Sequence, residues 1–139
     1  MTPSAEVPTA STADAPIDLA ERFSRFTEQW APRRIATVND YDVRIAKVQG
    51  EFVWHSHPDT DEFFLVVDGQ LTIHLREPGS SDTQRSVTLS AGQLYVVPRG
   101  VEHCPTADDE ASILMFEPSL TPNTGDAGGE RTKEPQDLA

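Results

Sequence analysis

Basic residues, cysteine and long apolar runs are all scarce in this chain, and each shortage removes a class of function. Eleven Lys and Arg face 23 Asp and Glu in 139 residues, for a formal net charge of −12. Nucleic-acid binding needs clustered cations to neutralise phosphates, so that partner is excluded. The single cysteine, Cys104, cannot form an intramolecular disulfide and suits a reducing compartment. No apolar run approaches the roughly 18 residues that span a bilayer. Residues 1–16 lack both the basic cluster and the apolar stretch of a signal peptide. The expectation is a cytoplasmic protein with no membrane partner. No P-loop, dinucleotide fingerprint, G-x-S-x-G or C-x-x-C occurs, so nucleotide cofactors and serine hydrolase chemistry have no support. What is left is enough chain for one domain that buries a core without staples.

Composition divides the chain into four parts. Residues 1–16, rich in Ala, Thr, Ser and Pro, are expected to be disordered. Within 17–31, Leu19, Phe23, Phe26 and Trp30 recur at helical spacing among charged residues, which predicts one amphipathic helix stopped by Pro32. Residues 32–118 change to a period of about two. Strands are predicted at 35–38 and 41–48 about Asn39-Asp40, then at 63–67 and 71–75 with Asp68-Gly69 as a hairpin. Further strands fall near 87–89, 94–97 and 113–116, with turns at Pro78-Gly79, Gly92, Pro98 and Gly100. Many short strands with Gly and Pro turns predict an all-β sandwich or barrel. Residues 119–139 are loop-like and then acidic, and no regular structure is expected there.

Three of the four histidines sit at metal-ligand spacing. His55 and His57 form an H-x-H whose side chains share a face of an extended segment. Glu62 follows after four residues, and His103 lies further on in P-R-G-V-E-H. Neutral imidazoles with one carboxylate suit one divalent transition metal, whether Fe, Mn, Co, Ni, Cu or Zn, and leave room for substrate or water.

The setting of these residues resembles the cupin superfamily. The stretch G-E-F-V-W-H-S-H-P-D-T-D-E-F-F-L-V-V-D-G at 50–69 is similar to the first cupin motif, G-x5-H-x-H-x3-4-E-x6-G. The stretch G-Q-L-Y-V-V-P-R-G-V-E-H-C-P-T-A at 92–107 is similar to the second, G-x5-P-x-G-x2-H-x3-N. Two departures stand out: four residues rather than five separate Gly50 from His55, and Ala107 replaces the final Asn. The resemblance implies a small monocupin, a double-stranded β-helix or jelly-roll barrel with His55, His57, Glu62 and His103 converging on one metal. It also implies a homodimer.

Other residues are candidates for the surroundings. Val53, Phe64, Pro105 and Met115 are expected to wall an apolar pocket. Lys47 would bring a cation to the metal if its strand face is interior, and is an exposed lysine otherwise. Tyr95 offers a hydroxyl for proton transfer or simply packs. His74 should point away from the Leu71, Ile73, Leu75 face, Cys104 away from the metal, and Arg99 to solvent. Catalytic candidates are therefore Glu62, Lys47 and Tyr95. The expected function is a small-molecule metalloenzyme of oxygenase, isomerase or lyase type. The alternative is a non-catalytic cupin module that holds a small ligand.

Overall fold

Alternating apolar residues after Arg33 form eight strands in the computed structural model, which describes residues 15–77 and 85–138. In chain order these are β1 (Arg33–Val38), β2 (Tyr41–Glu51), β3 (Glu62–Asp68), β4 (Gln70–Arg76), β5 (Arg85–Ser90), β6 (Leu94–Val97), β7 (Glu102–Pro118) and β8 (Gln136–Asp137). A five-residue helix, α1 (Leu19–Phe23), precedes them. The disorder expected up to residue 16 falls mostly outside the described residues, as does the Pro78-Gly79 turn.

β7 organises the sheet. Its C-terminal half lies between β2 and β3, with Ile113 opposite both Ala46 and Val66. Its N-terminal half pairs with β4, from Glu102 opposite Arg76 to Thr106 opposite Thr72. The two halves of the sheet close on one apolar core, in which Phe64, Val66 and Ile113 meet Leu71, Ile73, Leu75 and Leu89. Burial of each such side chain contributes about 1.5–3 kcal/mol.

Two expectations about this architecture are corrected. The strands form an all-β, cupin-like sheet, but the sheet does not close into a barrel. Its pairing runs β5-β4-β7-β2-β1-β8, with β3 branching from β7 and β6 from β3, and among the described residues no ladder joins the ends. Between β2 and β3, residues 52–61 carry Pro58 and a bend, and supply a single bridge between His55 and His103. Proline has no N–H to donate, which weakens a ladder there. The amphipathic helix expected over 17–31 shrinks to α1. Asp18 makes no side-chain cap bond, and beyond Phe26 the backbone turns to β2 for its partners. Trp30 N–H donates to the Lys47 carbonyl at 2.8 Å, and the Lys47 ammonium donates to the Phe26 carbonyl at 2.7 Å. The helical spacing of aromatics marked core positions instead: Phe23 and Phe26 pack with Ile35 and Ile45, and Trp30 joins the main core.

Asp68-Gly69 is a corner and not a hairpin. β3 and β4 do not pair with each other; each pairs with a different half of β7. The chain crosses β7 so closely that a Cβ on Gly69 would lie 3.0 Å from Ala111 Cα and from the Glu110 carbonyl oxygen. The C-terminal tail holds more structure than its composition suggests. β8 runs parallel to β1, and Arg33 and Arg34 bond Gln136 and Asp137 at 2.8 and 2.6 Å.

Candidate metal centre

The three ligand-bearing segments are tied together by their backbones. His55 N–H donates to the His103 carbonyl at 3.0 Å, and His103 N–H returns the bond at 2.9 Å. Gly100 N–H holds the His57 carbonyl at 3.0 Å, and Glu62 opens β3 beside Val97. The result is a buried group in which one ligand atom each from His55, His57, Glu62 and His103 lies within 4.8 Å of the others. This arrangement matches a site of three histidines and one glutamate.

Hydrogen bonds select which imidazole nitrogen faces inward. His55 Nδ1 donates to the Val53 carbonyl at 2.9 Å, and His103 Nδ1 donates to the Val101 carbonyl at 3.0 Å. A carbonyl only accepts, so each Nδ1 carries the proton and each Nε2 is left as a lone pair. The His57 and His103 Nε2 atoms are buried without a hydrogen-bond partner. His57 Nε2 does lie 2.5 Å from Glu62 Oε1, a contact without hydrogen-bond geometry. Burying polar nitrogens unpaired costs about 1–3 kcal/mol each. A divalent ion resolves this, because it would accept the same lone pairs and the carboxylate together. The residues therefore fit a metal.

Charge states agree with ligation. Burial, reinforced by the His103 charge, lowers His55 to about 4. Burial also lowers His103. Both imidazoles are then neutral near pH 7, the form that ligates. Burial alone would raise Glu62, but its contact with His57 outweighs that, aided by the imidazoles where they are protonated, and holds it below the usual carboxylate range.

Beside the ligands lies an apolar cavity. Trp30, Ala46, Val48, Phe52, Phe64, Pro105, Ile113 and Met115 wall it, and His55, Glu62, Glu117 and Asn123 supply polar atoms. Trp30 and Phe52 stack at one end with centroids 4.6 Å apart. Phe64, Pro105 and Met115 are among the residues that line it. Val53 lines an outer groove, and its neighbour Phe52 lines the cavity. Lys47 points away from the ligands, over the Phe26 ring at 5.2 Å, because Ala46 and Val48 occupy the inner face of β2. The Tyr95 hydroxyl accepts from Arg85 at 3.1 Å and is not part of the cavity wall. His74 bonds Ser86 and Thr106 on the opposite face of β4, and Arg99 is exposed beside Asp61. The buried Cys104 thiol points toward Glu51, and burial followed by the Glu51 charge pushes it up to about 12, so no thiolate is on offer.

Glu117 was missed by sequence reasoning. It lines the cavity from β7, and burial, then the Glu62 charge, pushes its carboxyl well above the usual range despite Arg44. The only signal in the sequence was a charged residue two positions after Met115 on the same strand face.

Residues 41–117 match the cupin domain model, Cupin_2. The chain belongs to the cupin family. A protein containing a cupin-2 domain from Shewanella frigidimarina NCIMB 400 is 47% identical; the match covers 73% of this chain and 93% of that one, with a TM-score of 0.68. The uncharacterized protein YdbB of Bacillus subtilis is 37% identical over 76 residues, 55% of this chain and 62% of that relative's length. Hydroquinone 1,2-dioxygenase of Sphingomonas sp. TTNP3, solved with 4-nitrophenol, has the same fold at a TM-score of 0.69 and 21% identity. That match covers 85% of this cupin and 37% of the dioxygenase chain.

Proposed function

We propose that this cupin is a metal-dependent enzyme acting on small ring-bearing molecules, of oxygenase type. The observation that carries the reading is an apolar, aromatic-walled cavity that opens directly on His55 and Glu62 of the ligand group. The fold it shares with a hydroquinone dioxygenase is consistent with this choice of chemistry. When bound, a divalent transition metal would supply Lewis acidity toward substrate oxygens and, if redox-active, electrons for reaction with dioxygen.

The chain's own residues have distinct tasks. The Val53 and Val101 carbonyls hold His55 and His103 in the tautomer that ligates. Phe52, Phe64 and Trp30 seat a planar ring and exclude water, which strengthens polar interactions at the reacting end. Glu117 Oε can hold a proton facing the cavity, fixed from behind by Arg44 at 3.2 Å. Anaerobic reconstitution with Fe(II), followed by oxygen uptake over a panel of hydroxylated benzenes, tests the reading. Uptake that Glu62→Gln abolishes supports it. Tight ligand binding without turnover for any metal would instead make the protein a binding module.

The same reading includes a homodimer. On the face of the sheet turned from the cavity, Val43, Phe116, Phe63 and Val96 form one apolar row across four strands, and Ile45, Leu114, Leu65 and Leu94 form another. The segment around α1 covers the Ile45 and Leu114 end, while Leu94 and Val96 remain 53% and 41% exposed. Such a contiguous exposed patch favours association. Light scattering should give twice the chain mass, and Leu94→Lys should shift it toward the monomer.

A further inference from the structure

Each residue of the His55-Ser56-His57 run is anchored by a different element. His55 is bonded to His103 through both backbone groups, and the His57 carbonyl accepts from Gly100. Both anchors belong to the second cupin motif. Ser56 is held from elsewhere. Its N–H donates to Asp126 Oδ1 at 2.8 Å, its hydroxyl donates to Asp126 Oδ2 at 3.1 Å, and its carbonyl accepts from Asp126 N–H at 3.0 Å. One residue thus takes up all three polar groups of Ser56. The approach is tight as well: a Cβ on Gly125 would lie 2.2 Å from the Ser56 carbonyl oxygen and 3.0 Å from His55 Cδ2. Gly125 also has φ of 54°, a backbone conformation that suits glycine.

Asp126 and Gly125 lie beyond residue 117, outside the matched cupin domain. Their segment is itself fixed. Thr124 is fully buried and bonds Thr132 at 2.6 Å, while the Asn123 side chain bonds the backbone of Arg131 and Lys133 at 2.9 and 3.0 Å. A surface tail with no task would not need to be braced against the one residue that separates two ligands.

We infer that the C-terminal segment completes the metal centre, with Asp126 the positioning residue that sets the spacing of His55 and His57 by clamping Ser56. This rests on the metal-site reading above. Asp126 is bonded to the Ser56 peptide between two ligands, and its charge also bears on His55 and His103. Partners at this remove typically change metal affinity by about 10–100-fold when lost. Asp126→Ala should sit at the lower end, about tenfold.

The test is Co(II) affinity of the full chain by chelator competition, together with the visible spectrum of the Co(II) protein. Asp126→Ala should weaken binding about tenfold and alter the spectrum, while the metal-free protein stays folded with its thermal midpoint lowered by only about a few degrees. Asp126→Asn, which can still accept from Ser56 N–H and donate to its hydroxyl, should recover most of the affinity. Ser56→Ala removes one bond of three, so it should weaken binding about two- to threefold, and it reads the same coupling should Asp126→Ala fail to fold. Wild-type affinity and spectrum in both Asp126→Ala and Ser56→Ala would overturn the inference while leaving the site intact. Failure of the wild-type chain to bind Co(II) would instead overturn the metal site itself.

Discussion

Two buried polar clusters sit side by side in this protein, and they are built on opposite principles. Around Arg44, every donor has a partner. Its guanidinium reaches Asp42, Glu117 and the carbonyls of Ser119 and Thr121 at 2.8–3.2 Å, and Asp42 also receives Arg34 and Ser119. Around His55, His57, Glu62 and His103, two imidazole nitrogens are buried with no hydrogen-bond partner. The Arg44 cluster is complete within the chain. The histidine cluster becomes complete only with a ligand the chain does not supply, and that difference separates a structural charge network from a functional one.

Breaking the saturated cluster should have the largest effect. Arg44→Met strips the buried Glu117 and the Ser119 and Thr121 carbonyls of their donor and leaves Asp42 with Arg34 alone, which costs about 3–5 kcal/mol in stability. Urea denaturation checks this; a loss below about 1 kcal/mol would show that the network is dispensable.

Acid should act next, and on the other cluster. The metal-free His55 imidazole has its folded value lowered from 6.5 to about 4 by burial and the His103 charge. Between those limits the unfolded chain takes up a proton that the folded chain refuses. Stability from this group is therefore fully present above pH 6.5 and falls as the pH drops toward 4, by about 3 kcal/mol in total. Lowered His103 adds in the same sense, whereas raised Glu117 opposes it, since its contribution declines as the pH rises. The difference in unfolding free energy between wild type and His55→Leu isolates the term. An identical pH slope in the two proteins would contradict the assignment.

The smallest effect should be the most diagnostic. In the metal-free protein, His103→Leu removes an unsatisfied buried nitrogen and keeps most of the volume, at the loss of one hydrogen bond to the Val101 carbonyl. It should change stability by no more than about 1 kcal/mol in thermal or urea unfolding, while abolishing the stabilisation that added metal gives the wild type.

The contrast between clusters also explains what could be read from the sequence. The ligand set was legible because its signal is local: an H-x-H, a Glu five residues on, and a His held in a Gly-Pro frame. The Arg44 cluster was not. Asp42 and Arg44 alternate with Val43 and Ile45, a pattern that reads as a strand with its charged face in solvent. Here the charged positions point inward with Ala46 and Val48, while Val43 and Ile45 lie under the N-terminal segment. The same inversion put Lys47 on the outer face. β7 was seen only at its end, because the exposed Asp108, Asp109 and Glu110 interrupt the apolar pattern midway. The helix at 17–31 failed because aromatic spacing reports burial, and burial here is met by a short irregular segment bonded to β2.

The most direct test is metal content. Chain reconstituted anaerobically with Fe(II) or Co(II), freed of excess metal and measured by elemental analysis, should carry about one ion per chain. His55→Ala and His103→Ala, folded by circular dichroism, should carry close to none. Equal metal content in wild type and both variants, or none in the wild type, would contradict the site.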